Sequence, residues 1–230
     1  MLAGRPKIEP RYQSGAHWLR VSEIYLSLQG ESSHAGRLCA FVRLTGCHLR
    51  CGYCDSAFAF YQGERLAIEQ ILLRVTELGA PLVEITGGEP LLQPAVYPLM
   101  QAFLDRGLTV LLETSGAIDV RLVPPSVHKI VDLKTPSSGE CDRNDYRVFR
   151  SMGSRDELKF VIGTRPDYEW ARSLVLERQL LARPFGILFS SVFGQLSPRT
   201  LAEWIIADRL PVRFQLQMHK YIWEANARGV

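Results

Sequence analysis

No apolar run in the 230-residue chain approaches the roughly 20 residues that a membrane span requires. The opening stretch MLAGRPKIEPRYQSG holds no apolar core of signal-peptide length, so a cytoplasmic protein is expected. Neither sign of charge is in excess: 27 Lys and Arg stand against 24 Asp and Glu, a net +3. No basic block exceeds a few residues, and direct binding to nucleic acid is not expected. Internal repeats, low-complexity tracts and linker-like shifts in composition are all missing. A single domain is therefore expected over residues 20–230, behind an irregular leader, residues 1–19, where Pro6 and Pro10 discourage regular structure. With 47% hydrophobic and 22% charged residues the chain is not disordered, and at this length it can bury a core without covalent staples. Cysteine is sparse as well. Five residues, an odd number, exclude a dense, paired disulfide scaffold.

Short apolar segments rich in β-branched residues alternate with helical patterns. Strands are predicted at Val21–Leu28, Leu38–Leu44, Leu82–Thr86, Leu108–Thr114, Lys129–Leu133, Leu158–Ile162, Gly186–Phe189 and Val212–Leu216. Helical spacing is clearest in Leu66–Leu78, which Gly79 stops, and in Pro94–Arg106, which Gly107 follows. Asp167–Leu181 and Pro198–Asp208 are the other two helices. The alternation implies an α/β fold with a parallel sheet and right-handed crossovers. A full eight-fold barrel needs roughly 250 residues, so an incomplete, partial parallel βα barrel is the predicted architecture.

Three of the five cysteines fall together, as Cys47-x3-Cys51-x2-Cys54, directly after the strand Leu38–Leu44. Such gaps let three thiolates from one loop converge on a compact target, with Gly46 and Gly52 relaxing the backbone. An iron–sulfur cluster is held by thiolates, commonly four. Three ligands would leave one iron open to a small molecule. Structural zinc is the alternative, completed by His48 or by Cys39, though neither gives a standard spacing. Cys39 and Cys141 are expected to be plain thiols without a role.

With Tyr53 just before its last cysteine, the loop resembles the signature of the radical S-adenosylmethionine (radical SAM) enzymes. Thr86-Gly87-Gly88-Glu89-Pro90, after a predicted strand, resembles their glycine–glycine–glutamate–proline motif. The resemblance implies a [4Fe-4S] cluster on Cys47, Cys51 and Cys54 whose open iron takes S-adenosylmethionine and yields a 5′-deoxyadenosyl radical. Glu89 is expected to accept from the cofactor's ammonium.

Within that superfamily, several further stretches resemble the 7-carboxy-7-deazaguanine synthase family. They are Ser27-Leu28-Gln29-Gly30-Glu31, Arg43, Asp55-Ser56, Glu113-Thr114-Ser115-Gly116, Asp132-Leu133-Lys134 and Gln217-Met218-His219-Lys220. The resemblance implies a carbon–nitrogen lyase of 7-deazapurine, queuosine-type biosynthesis that acts on 6-carboxy-5,6,7,8-tetrahydropterin. Arg43 would grip the substrate carboxylate, a task its fork suits better than a lysine, unless it only serves an internal ion pair with Glu31, Glu113 or Asp132. Leu28, Gln29, Gly30, Glu31, Thr86 and His219 would complete the substrate site. Tyr53, Gly88, Glu89, Glu113, Ser115, Asp132, Leu133 and Lys134, with Ser190 and Ser191, would bind S-adenosylmethionine. Ser56 would ligate Mg2+. A reductant such as flavodoxin or ferredoxin and a homodimer are the partners implied. Ser32 departs from the family, which often has glycine after the glutamate, and no role is assigned to the tail after Trp223. A glycyl-radical-enzyme activase shares the cysteine spacing, but has no reason to carry the Gln-Gly-Glu, Arg43 and His219 set.

Overall fold

A computed structural model describes residues 7–11, 13 and 15–230. The leader's first six residues, with Tyr12 and Ser14, lie outside the described residues. Strand β1 (Trp18–Leu28) starts three residues before its apolar pattern predicts, and β2 (Leu38–Leu44) follows antiparallel to it. The connection Gln29–Arg37 explains the direction, because parallel neighbours need a crossover of a dozen residues or more. A short strand that the sequence reading missed, β3 (Glu64–Ala67), pairs antiparallel with the start of β1. Its last two residues, Leu66 and Ala67, fall within the range predicted for the helix that follows, α1 (Ile68–Leu78).

From there the sheet is parallel. β2, β4 (Leu82–Gly87), β5 (Thr109–Thr114), β6 (His128–Leu133), β7 (Glu157–Ile162), β8 (Gly186–Ser191) and β9 (Arg213–Gln215) lie side by side in that order. The predicted partial barrel of parallel strands is thus present, with the antiparallel pairs β1–β2 and β1–β3 added at one edge; among the described residues the sheet has nine strands and is open between β3 and β9. Helices α1, α2 (Val96–Asp105), α4 (Arg165–Glu177) and α5 (Pro198–Ala207) pack on its outer face; α3 (Val148–Ser151) and α6 (His219–Ile222) are single turns the sequence reading did not include. Helix α2 buries Val96, Leu99, Met100 and Phe103 on one stripe, worth about 1.5–3 kcal/mol for each large side chain. In α4, Thr164 and Asp167 form a reciprocal cap that fixes the helix start. No helix among the described residues is long and apolar enough to cross a membrane.

Strand alternation divides the interior in two. Val83, Ile85, Val110 and Leu112 point outward into the main core under the helices. The inward residues close the barrel floor with a small plug of Cys39, Phe41, Leu82, Leu111 and Ile130. Above that plug the inward positions turn polar, with Glu84, Glu113, Asp132 and Lys159 on four neighbouring strands.

Candidate active site

At the C-terminal ends of the parallel strands the barrel opens into a cleft of about 630 Å3, where this architecture usually places its ligands. Cys47, Cys51, Cys54 and Tyr53 line one wall. Their loop is clamped from outside: Gly46 N–H donates to Ala59 O (2.9 Å), Gly52 N–H to Ser138 O (2.9 Å) and Arg50 N–H to Glu140 Oε1 (2.8 Å). From inside, the turn after β4 presses on it. A Cβ on Gly88 would stand 2.3 Å from Gly46 O, and one on Gly87, whose φ is +148°, 2.3 Å from Leu44 O. The two glycines do allow a close backbone approach, Gly87 to the end of β2 and Gly88 to the cysteine loop itself.

Burial pushes all three thiols above their ordinary range, Cys51 to about 11, and each lies within the field of another. Three neighbouring thiolates in such a place require a strongly cationic partner. Among the described residues no three His, Cys, Asp or Glu are gathered tightly enough for a single metal ion. In an iron–sulfur cube each thiolate sits on its own iron, so three thiols converging from one loop are the donor set such a cluster takes. Neither fourth zinc ligand is available. His48 does not line the cleft with the three thiols, and Cys39 sits in the floor plug at the far end of β2.

Beside the thiols, Lys134 Nζ donates to Asp132 Oδ2 at 2.9 Å. Asp132 Oδ1 is buried with no partner among the described residues. A lone acceptor of this kind is costly unless a ligand supplies a donor, and a ribose hydroxyl or an amino group of S-adenosylmethionine suits it. Gly88, Glu113 and Ser115 line the same cleft. Four positions predicted for the cofactor lie elsewhere. Glu89 is fully buried and its carboxylate is saturated by Leu91 N–H (3.0 Å), Thr114 Oγ (2.8 Å), Ser115 N–H (2.8 Å) and Ser115 Oγ (2.5 Å), which makes it a clamp between β4 and β5. Leu133 points outward into the main core. Ser190 is buried off the cleft, and Ser191 faces a shallow depression beside Phe193 and Gln195.

The same cleft is lined by Leu28, Gln29, Gly30, Glu31, Arg43, Thr86 and His219. Arg43 Nε pairs with Glu23 Oε1 at 2.8 Å and Nη2 donates to Tyr25 Oη at 3.0 Å. The internal ion pair therefore exists, with Glu23 and not with Glu31, Glu113 or Asp132, and among the described residues Nη1 makes no hydrogen bond. Gly30 is where a side chain cannot go, since its Cβ would meet His219 Nδ1 at 2.3 Å. Ser32, at the family's usual glycine, holds φ +65°, the conformation a glycine adopts without cost. Ser56 lies half-buried at the rim and donates to Asp55 Oδ1 at 3.0 Å.

Residues the sequence reading missed complete the lining. Lys159 Nζ bonds Glu31 Oε2 at 2.7 Å, Glu113 Oε1 at shorter range, and lies 3.8 Å from Asp132 Oδ2. Burial opposes charge on Glu31, but the Lys159 ammonium outweighs it and holds the carboxyl below its ordinary range. Glu84 and Glu23 also line the cleft, as does the tail, whose Arg228 lies 4.0 Å over the Phe58 ring. The signal for Lys159 and Glu84 was a charged residue within an apolar strand, which burial permits only with a purpose.

The partial barrel with its thiol loop has known counterparts. The Radical SAM superfamily profile matches residues 41–131, from β2 to β6. Fold, loop and match together define a radical S-adenosylmethionine enzyme. The crystal structure of QueE from Escherichia coli shares the fold, with a TM-score of 0.71 at 24% identity over 88% of this chain and 95% of that one. The 7-carboxy-7-deazaguanine synthase of Chlorobaculum tepidum is 49% identical over 92% of this chain and 97% of its own length. That of Koribacter versatilis is 42% identical over 92% and 100%. The chain belongs to the 7-carboxy-7-deazaguanine synthase family, which sets aside the glycyl-radical activase.

Proposed function

We propose that the chain is a carbon–nitrogen lyase that converts 6-carboxy-5,6,7,8-tetrahydropterin to 7-carboxy-7-deazaguanine with loss of ammonia. The observation that carries this reading is that the thiol trio and the Arg43 guanidinium line one and the same cleft. Cys47, Cys51 and Cys54 would hold the cluster, and Gly88, Ser115, Asp132 and Lys134, with Tyr53 and Glu113, would seat S-adenosylmethionine. When bound, this pair supplies a 5′-deoxyadenosyl radical, for which a flavodoxin- or ferredoxin-type reductant delivers the electron. Arg43 would orient the substrate carboxylate through its open Nη1, while Glu23 and Tyr25 keep the guanidinium fixed. Gln29, Gly30, Glu31, Thr86 and His219 would enclose the pterin. Ser56 and Asp55 offer hard oxygen donors to Mg2+ at the rim. The enclosure excludes water from a reactive intermediate, which is the protein's main contribution in cofactor chemistry of this kind.

The test is anaerobic reconstitution with iron and sulfide, followed by incubation with S-adenosylmethionine, reductant, Mg2+ and the pterin, and chromatography for the product. Product formation is expected; no turnover by cluster-loaded protein overturns the reading. Arg43→Lys should raise KM by about tenfold or more through loss of the fork, with the iron content unchanged.

A further inference from the structure

The polar layer above the barrel floor contains one carboxyl without a counter-charge. Glu84, on β4 between Leu82 below and Thr86 above, is 3% exposed and lines the cleft. Its protein partner among the described residues is the Gln29 side chain, whose Nε2 donates to Glu84 Oε2. The amide cannot be turned round, because Gln29 Oε1 accepts from Glu31 N–H at 3.0 Å. The cation of this layer, Lys159, is committed to Glu31 and Glu113 and lies near Asp132. A fourth ionised carboxylate here would be buried without compensation. Glu84 Oε1 has no protein partner among the described residues, yet is not sealed off from the cleft.

The strand register sets the depth. Arg43 is level with Thr86, and Phe41 with Glu84, so the Glu84 backbone lies two residues, about 7 Å, below the level of Arg43 on the strands. At that depth the wall is aromatic, with Tyr25 and Phe41 stacked at 5.0 Å. A bicyclic substrate held by its carboxylate at Arg43 would extend its far ring to this level.

We infer that Glu84 is a specificity residue that presents a hydrogen-bond donor and an acceptor side by side to the lactam edge, N–H beside C=O, of the substrate's pyrimidinone ring. An un-ionised carboxyl has that pattern, while a carboxylate accepts only. Burial foremost, and then the negative charge of Glu113, raise the Glu84 carboxyl well above its ordinary range. The charged and titratable groups around it are Glu113 from β5, Glu31 from the β1–β2 loop and Lys159 from β7, with Tyr25 from β1 and Cys39 from β2. The inference rests on the pterin reading above and assigns that site a recognition element.

The test measures equilibrium binding of 6-carboxytetrahydropterin to anaerobically reconstituted protein with S-adenosylmethionine, from about pH 6 to about pH 9. Glu84→Gln keeps a donor and an acceptor and should bind within about threefold of wild type. Glu84→Met keeps the bulk alone and should weaken binding about 10- to 100-fold. Wild-type affinity should fall at the alkaline end, as the carboxyl loses its donor, while the glutamine variant stays flat. A methionine variant with wild-type affinity overturns the inference, as does a glutamine variant with the same alkaline loss as wild type. If the methionine variant does not fold, the two pH profiles decide. Wild-type protein that binds no pterin overturns both readings, whereas binding indifferent to residue 84 overturns this one alone.

Discussion

Glycine at position 30 is set by a neighbour 189 places along the chain, the ring of His219. Gly30→Ala should push that ring from the cleft and raise KM for the pterin about tenfold or more, since sub-ångström misplacement is costly in such sites. Iron content and the cluster's visible absorbance should stay at wild-type levels. Glu84 gives a second expectation at this scale. A folded-state carboxyl raised above its unfolded value contributes stability that is fully present below about pH 4.3 and is lost as pH rises through the raised value. The thermal midpoint of wild type should therefore fall toward alkaline pH relative to that of Glu84→Gln, with the gap widening as pH increases. A constant gap in paired melting scans would show that Glu84 is ionised throughout.

Between elements, the decisive contact is the turn after β4 against the loop after β2. Gly88 leaves room for Gly46 O and Cys47 Cβ, and Glu89 ties the same turn to β5 through Thr114 and Ser115. Motif residues that look like ligand contacts in the sequence thus hold the cysteine loop in place. Gly88→Ala should cost cluster binding and leave the fold intact. Iron per chain after reconstitution should drop by half or more, with far-ultraviolet circular dichroism unchanged.

Across the whole molecule, Lys159 joins the β1–β2 loop, β5 and β6 to β7 through Glu31, Glu113 and Asp132. β5, β6 and β7 are sheet neighbours, but among the described residues the β1–β2 loop has no strand pairing with β7, so the ammonium ties that loop across the interior and helps to set the curvature of the open barrel. Removing one member of a buried ionic group leaves the others uncompensated, at about 3–5 kcal/mol. Lys159→Met should lower the thermal midpoint by about 10 °C. Paired with Glu31→Gln and Glu113→Gln, it should recover much of that loss.

Local order was written in the chain. Periodicity marked α1 and α2, β-branched runs marked β2, β4 and β5, and the Cys47–Cys54 spacing stated its chemistry, because each depends on residues close in sequence. The antiparallel start was not anticipated, although the connection Gln29–Arg37 is too short for a parallel crossover. The short strand β3 was not legible, since its four residues pair with Trp18–Val21, far away in sequence. Nor was the inward column of Glu84, Glu113, Asp132 and Lys159, whose partners come from different strands. Which face of a strand looks into the barrel, and which charges then meet, is settled only when the sheet curves. For that reason Glu89 and Leu133 left the cleft, and Lys159 and Glu84 entered it.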